Sequence, residues 1–398
     1  MNIKITPKQL SGSICAIPSK SQAHRLLICA AFSDRKTILN CQQTNEDIEA
    51  TADCLRALGA DILRTETGYI VSPIKNIPQT AELNCRESGS TLRFMLPIVG
   101  ALGVDATFQL AGRLPQRPLS PLWELMEQKG CELSRPTNAT IRCRRKLTAG
   151  HYSIDGGVSS QFITGLLFAL SLIDGQSTLE ITGKLESKPY ITMTQQALNL
   201  FGVKTGNKIS CQYPFTSPGL VDVEGDWSNG AFFVVAKHLG SNLEITGLCQ
   251  NSAQGDRAVA QLVNTMQKYC TISAADIPDL VPILSVYAAA NCGAVFTDIE
   301  RLRLKESDRV ASVAKMLCAF GIETEVTQST LTIHAGKFHG CEVCSENDHR
   351  IAMSAAIAAT MADGPVIIKD AQCVSKSYPD FWSEYKRLGG CYEQYIRK

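Results

Sequence analysis

One punctuation mark recurs along this chain. Five times a helical pattern closes on a residue pair ending in glycine and passes into an alternating strand: Leu58-Gly59, Lys129-Gly130, Phe201-Gly202, Phe320-Gly321 and Leu388-Gly389. Glycine just past a helix is a C-cap signal, because it takes left-handed backbone angles without the penalty of a Cβ. The marks stand about 70 residues apart, and Tyr269-Cys270-Thr271-Ile272 fills the one long gap as a member without glycine. Halfway through each step lies a second, more apolar helical run: 22–32, 91–102, 161–173, 228–239, 280–290 and 350–361. The spacing predicts six similar units of β and α elements, grouped as two lobes of three. A 398-residue chain with 44% hydrophobic residues is also too long for one ordinary domain. The boundary falls near Val223-Glu224-Gly225-Asp226-Trp227, and the opening strand before Pro18 crosses over to the later lobe. Lobe one is therefore expected to be residues 1–16 plus 226–398, and lobe two residues 17–225.

Charge excludes some functions. Thirty-nine basic against 38 acidic residues give a net charge of +1, which argues against a broad nucleic-acid or membrane-binding surface. No apolar run approaches the roughly 20 residues of a membrane span, and Met1 to Pro7 holds no signal-peptide core. The expectation is a cytoplasmic protein with neither nucleic acid nor membrane as partner. Sixteen cysteines sit singly among apolar neighbours such as Ile28, Leu55 and Leu317, and are expected to be mostly buried thiols. Cys341-Glu342-Val343-Cys344, with His339 and His349 nearby, has the outline of a zinc site. No second cysteine pair follows it, and residues 340–345 also read as an ordinary strand, so no metal is expected there.

The polar residues that carry chemistry cluster at helix starts. Lys20 and Ser21 open the first, with Arg25 one turn in; Gly89-Ser90-Thr91 opens another, with Arg93 just inside; Ser159-Ser160-Gln161, Ser187-Lys188-Pro189-Tyr190, Asp276-Ile277-Pro278-Asp279 and Asp348-His349-Arg350 open four more. Serine, aspartate and proline at such places are ordinary capping residues. Capping does not account for the cations Lys20, Arg25, Arg93, Arg117, Lys305, Arg309, Arg350 and Lys376, because positive charge opposes the helix dipole there unless an anion sits between. A multiply charged ligand is the simpler account. Arginine offers planar, bidentate geometry to carboxylate or phosphate, and lysine a point charge. Neither a Walker loop nor a G-x-G-x-x-G turn is present, so nucleoside triphosphates and dinucleotides are not indicated.

The densest run is Arg301-Leu302-Arg303-Leu304-Lys305-Glu306-Ser307-Asp308-Arg309. Read as a strand, 301–305 turns its three cations to one face, and Ser307 or Asp308 caps a helix from about Arg309 to Phe320. Glu306 is then either a proton carrier or a salt-bridge partner of Arg309 or Lys305. Asp279 is either a proton carrier or a helix cap.

Taken in order, Ser19-Lys20-Ser21 with Arg25, Ser88-Gly89-Ser90-Thr91-Leu92-Arg93, Gln116-Arg117-Pro118-Leu119, Ser159-Ser160-Gln161-Phe162, Ser187-Lys188-Pro189-Tyr190, Ile277-Pro278-Asp279, Arg303 to Arg309, Asp348 to Met353 and Lys376-Ser377-Tyr378-Pro379-Asp380 resemble the 5-enolpyruvylshikimate-3-phosphate synthases, enolpyruvyl transferases of the shikimate pathway. The resemblance spans nearly the whole chain. It implies an α/β, two-lobed enolpyruvyl transferase fold, an inside-out barrel of six βαβαββ units, three per lobe, with the active site in the cleft between lobes. It also implies transfer of the enolpyruvyl group of phosphoenolpyruvate to the 5-hydroxyl of shikimate 3-phosphate, with no metal or cofactor, sensitivity to glyphosate, and a monomer.

By the same resemblance, shikimate 3-phosphate is held by Lys20, Ser21, Arg25, Ser159, Ser160, Gln161, Ser187, Tyr190, Asp279 and Lys305. Phosphoenolpyruvate is held by Lys20, Gly89, Arg117, Gln161, Arg309, Arg350 and Lys376. Asp279, Glu306 and Lys20 are the catalytic residues. The chain departs from the usual Pro-Gly-Ser-Lys-Ser at Ile17-Pro18, and carries Arg301 and Ser90 where other members have asparagine and threonine. The nearest alternative is the related transferase acting on UDP-N-acetylglucosamine. That family has a Lys-Asn pair where this chain has Lys20-Ser21, and a cysteine-bearing loop where residues 110–120 here have none. A non-catalytic, nucleic-acid-processing relative would need basic surface that a charge of +1 does not supply.

Overall fold

The computed structural model describes residues 1–206 and 208–395. Contacts gather into two compact units, one running from Met1 to Ile17 and from Gly225 onward, the other from Pro18 to Glu224. Each has its own core: Phe94, Phe162 and Phe168 are buried in the second, Trp227, Phe320 and Tyr385 in the first.

Among the described residues there are six sheets, three per unit, and one topology recurs through them. In spatial order, Thr80–Arg86 pairs parallel with Asp105–Leu110, which pairs antiparallel with Thr140–Arg144, which pairs antiparallel with Glu132–Thr137. The same sequence of pairings orders Leu220–Asp222, Thr37–Asn40, Gly68–Ser72 and Asp61–Arg64. It orders Cys270–Ser273, Ala294–Thr297, Thr330–Ile333 and Thr324–Val326 as well. A fourth sheet is completed by the beginning of the chain: Asn2–Thr6 lies antiparallel between Val366–Lys369 and Cys391–Tyr395. The two remaining sheets keep the parallel pair and lose outer strands. A parallel pair needs a crossover, and one α-helix supplies it between Thr80–Arg86 and Asp105–Leu110, His151–Asp155 and Gln176–Thr182, Cys270–Ser273 and Ala294–Thr297, and Glu342–Cys344 and Val366–Lys369.

Those crossover helices are apolar on every side, which a helix tolerates only when it is covered all round. Gly89–Leu102 buries 12 of its 14 residues, and all ten of His349–Ala358 are buried. Their companions, such as Glu46–Ala57 and Arg309–Ala319, bury one face. The glycines of the recurring mark all have positive φ, from 76° at Gly202 to 108° at Gly130, so the caps are left-handed as the pattern requires. The glycine-free sixth member ends the helix Val259–Thr265 on Met266 before the strand Cys270–Ser273.

Two sequence expectations fail. Residues 301–305 are not a strand: Glu300–Leu304 is a 3-10 helix, with Leu302 buried beneath it. A strand would turn Leu302 and Leu304 to one face, whereas the short helix buries Leu302 and exposes Leu304; two apolar residues in so short a run did not discriminate. The cysteines are not mostly buried either, since seven are buried, three intermediate and six exposed. Cys318 is exposed beside the buried Leu317, because neighbours in a helix lie about 100° apart and an apolar neighbour says nothing about the same face.

Gly89–Leu102 packs closely against Ser160–Leu170. Pro97 has no N–H for the carbonyl of Arg93 one turn back, and Gly165 sits against that stretch. A Cβ on Gly165 would stand 2.3 Å from the Arg93 carbonyl oxygen and 2.7 Å from Pro97 Cγ, neither of which can swing away. Gly165→Ala is expected to cost about 1–3 kcal/mol through overpacking, read as a fall of several degrees in the thermal unfolding midpoint. A midpoint within one degree of the parent would show that the helices separate freely.

Candidate active site

In the unit from Pro18 to Glu224, four helix starts carry the residues singled out above. Ser19, Ser88 and Ser159 are true caps: their hydroxyls accept from the backbone N–H of Gln22, Thr91 and Gln161. Ser187 is different. It holds a left-handed φ of 56°, makes no side-chain cap bond and is 1% exposed, with Lys188 and Pro189 opening the helix after it. Lys20, at the first turn of its helix, pairs with Asp47 at 2.8 Å, and both side chains are largely shielded. The carboxylate lies in the first turn of Glu46–Ala57 and offsets a cation placed at the unfavourable end of a dipole.

Arg25 is 2% exposed and spends its guanidinium on the protein. It donates to the hydroxyl of Thr194 at 2.8 Å, to that of Thr164 at 3.3 Å, and to the carbonyls of Ser21 and Tyr190 at 2.5 and 3.0 Å. Burial pulls its pKa down to about 10. Beside it His24 is held neutral, its pKa lowered to about 3 by burial, and its Nδ1 meets the Thr51 hydroxyl at 2.7 Å. Thr51 in turn meets Thr91, and Thr91 meets Ser88, so a chain of buried hydroxyls ties three helices together. Gly89 lies against Arg117: a Cβ there would stand 2.6 Å from Arg117 Nη1, so only glycine leaves the guanidinium its place. Gln161 bridges Arg93 and Ser90, at 2.6 and 2.9 Å. Ser21, Ser160 and Tyr190 complete the group on the first turns of the same helices.

The other unit gathers Asp279, Lys305, Glu306, Arg309 and Arg350. Asp279 Oδ1 meets Arg309 Nη1 at 2.6 Å and Lys305 Nζ at 3.4 Å, while Oδ2 meets Arg350 Nη2 at 3.2 Å. Glu306 takes the other arm of Arg309 at 2.6 Å. Behind them Asp348, wholly buried, accepts from Arg309 Nε at 3.1 Å, from the Ser307 hydroxyl at 3.0 Å and from the backbone N–H of Arg350 at 3.0 Å. Burial raises the Asp279 carboxyl, but Arg350, Lys305 and Arg309 together hold it well below the usual carboxylate range. For Arg309 burial acts against the charge, and Asp348, Glu306 and Asp279 overcome it, leaving the guanidinium above its ordinary value. Lys305 is the weak member. Burial lowers its ammonium to about 8, and Asp279 only partly opposes this. Lys376, at the end of a 3-10 turn, donates to the carbonyl of Asn347 at 3.0 Å.

Sequence reasoning named the cations and missed the groups that fix them. Asp348 read only as a residue at a helix start and Asp47 was not singled out, since their partners lie 39 and 27 residues away along the chain. Asp308, not Ser307, caps the helix Arg309–Ala319, and Ser307 instead serves Asp348. Among the described residues no group of three or more His, Cys, Asp or Glu side chains is arranged to hold a metal ion, and no helix is long and apolar enough to cross a membrane.

Residues 5–385 match the family model for EPSP synthase (3-phosphoshikimate 1-carboxyvinyltransferase). Two 3-phosphoshikimate 1-carboxyvinyltransferases, from Clostridium beijerinckii and Clostridium novyi, are each 37% identical to this chain, and the match covers 99% of both partners. Among solved structures, an EPSP synthase from Acinetobacter baumannii superposes with a TM-score of 0.80 at 22% identity, covering 98% of this chain and 99% of that one. The enolpyruvyl transferase NikO from Streptomyces tendae superposes at 0.75 with 17% identity, covering 98% of each. These two likenesses show the fold.

Lys305 makes a pH dependence. Below about 8 it is charged and adds to the anion-attracting field of Arg309 and Arg350; above that it is neutral and the field weakens. Inorganic phosphate is a dianion throughout the upper range, so its affinity, measured by calorimetry from pH 7.5 to 9.5, is expected to fall through about 8. Lys305→Arg should move that fall beyond the measured range; an unchanged profile would show that Lys305 does not set it.

Proposed function

The chain belongs to the EPSP synthase family, and on that premise we propose that it transfers the enolpyruvyl group of phosphoenolpyruvate to the 5-hydroxyl of shikimate 3-phosphate. The observation that carries this reading is the cluster around Asp279, in which three cations converge on one carboxylate with a second carboxylate, Glu306, alongside. The reaction needs those parts. The hydroxyl oxygen adds to C2 of phosphoenolpyruvate as its proton leaves to a base, C3 gains a proton from an acid, and the tetrahedral adduct then expels phosphate and returns a C3 proton. Cations stabilise the carboxylate and the leaving phosphate throughout.

Asp279 is the group that takes the hydroxyl proton, and Glu306 serves C3 with Lys20 assisting. Held by three cations, Asp279 is too acidic to be an effective base. Substrate anions that draw Lys305, Arg309 and Arg350 towards themselves raise its pKa, so the base is activated by the binding that brings its substrate. Arg309, Arg350, Lys376, Gly89, Arg117 and Gln161 serve phosphoenolpyruvate. Ser21, Arg25, Ser159, Ser160, Gln161, Ser187, Tyr190 and Lys305 serve shikimate 3-phosphate, with Arg25 acting through the helices it ties together. Each of the two compact units is one lobe. The enzyme works as a cytoplasmic monomer on two small molecules, and glyphosate competes with phosphoenolpyruvate.

Phosphate release from phosphoenolpyruvate tests the reading, with shikimate 3-phosphate and UDP-N-acetylglucosamine offered separately. Release with the first is expected, and release only with the second would overturn it. Asp279→Ala should lower turnover by orders of magnitude at an unchanged circular-dichroism spectrum; near-normal turnover would remove Asp279 from its role as base.

A further inference from the structure

Arg93 lies outside the residues assigned above to either substrate, yet three groups from two separate segments, the helix Ser160–Leu170 and the stretch at Pro118, converge on it. It stands on Gly89–Leu102, is 4% exposed, and its guanidinium lies over the Phe162 ring with 5.4 Å between carbon and centroid. Nη2 donates to the carbonyl of Pro118, next to Arg117, at 3.0 Å, and Nη1 donates to Oε1 of Gln161 at 2.6 Å. Gln161 Nε2 donates in turn to the Ser90 hydroxyl at 2.9 Å.

The chemistry of these groups fixes a direction. Arginine has donors and no acceptor, so the amide oxygen of Gln161 must face it, and the amide nitrogen must face the other way. One N–H of that nitrogen goes to Ser90, which leaves the second as what Gln161 offers beyond the protein. An amide free to turn over would present its oxygen half the time and repel an anion. We infer that Arg93 is a positioning residue, which locks the Gln161 amide with its N–H outward and so makes that side chain a donor to an anionic substrate. The Pro118 carbonyl and the Phe162 ring fix the guanidinium, and the planar fork of the guanidinium fixes the amide. A lysine keeps the charge but not the fork, so it cannot serve both ends. The inference rests on the proposed reaction for its consequence, but not for its geometry.

Two measurements separate these. The first does not involve the reaction: the side-chain amide resonances of Gln161, assigned by their loss in Gln161→Leu, report hydrogen exchange. Slow exchange in the parent and exchange at least tenfold faster in Arg93→Lys are expected; equal rates in the two would overturn the lock. The second is kinetic. Arg93→Lys is expected to raise KM for phosphoenolpyruvate tenfold or more with the unfolding midpoint within two degrees. In a Gln161→Ala background the same change should add less than threefold, because the residue it acts through is gone. Full additivity of the two substitutions, or a rise in KM that tracks a fall in the midpoint, would make Arg93 a structural residue only. A parent enzyme that released no phosphate with shikimate 3-phosphate would refute the proposed reaction while the exchange result stood.

Discussion

Arg309 has no exposed surface and three carboxylates around it, and the chemistry of its unit depends on that arrangement. A lone buried guanidinium would be prohibitively unfavourable, and so would a lone buried Asp348. Together they neutralise one another, and the hydrogen bonds that do so also set directions. Asp348 holds Arg309 by Nε, which turns both terminal nitrogens towards Asp279 and Glu306. The same carboxylate caps the helix that carries Arg350. One buried acid thus places two cations, and those cations set the acidity of Asp279. The cluster is weak evidence for stability, since a buried ion pair often does no better than apolar packing, but it is strong evidence for a site.

The fold explains why helix starts supply the polar groups. In a strand-helix-strand crossover the helix begins where the first strand ends, and Gly89–Leu102 and Ser160–Leu170 begin in this way after Thr80–Arg86 and His151–Asp155. A positive helix terminus favours anions before any side chain is considered. The cations at these starts are destabilising in isolation. Asp47 beside Lys20 and the carboxylates around Arg309 offset that cost within the protein, and substrate anions are suited to take their part.

How legible this was depended on the range of the interaction. The left-handed glycines at Gly59, Gly130, Gly202, Gly321 and Gly389 are local demands of helix ends, and their repetition was readable without coordinates. The apolar runs halfway between them were likewise readable as helices. The 3-10 helix at Glu300–Leu304 was missed because five residues cannot separate a period of two from a period of three when the apolar positions are only Leu302 and Leu304. The cysteines misled because chain neighbours do not share a helix face.

The sequence by itself determined the six-unit pattern, the family, and which cations and carboxylates stand at helix starts, because each of these is written in residue type and spacing over a few turns. Only the tertiary structure decided who holds whom. Lys20 meets Asp47, Arg93 orients Gln161, Gly89 leaves room for Arg117, and Asp348 aims Arg309, across gaps of 27 to 68 residues. Such pairs are made by packing whole helices against one another, and no local preference in the chain encodes which charged end meets which.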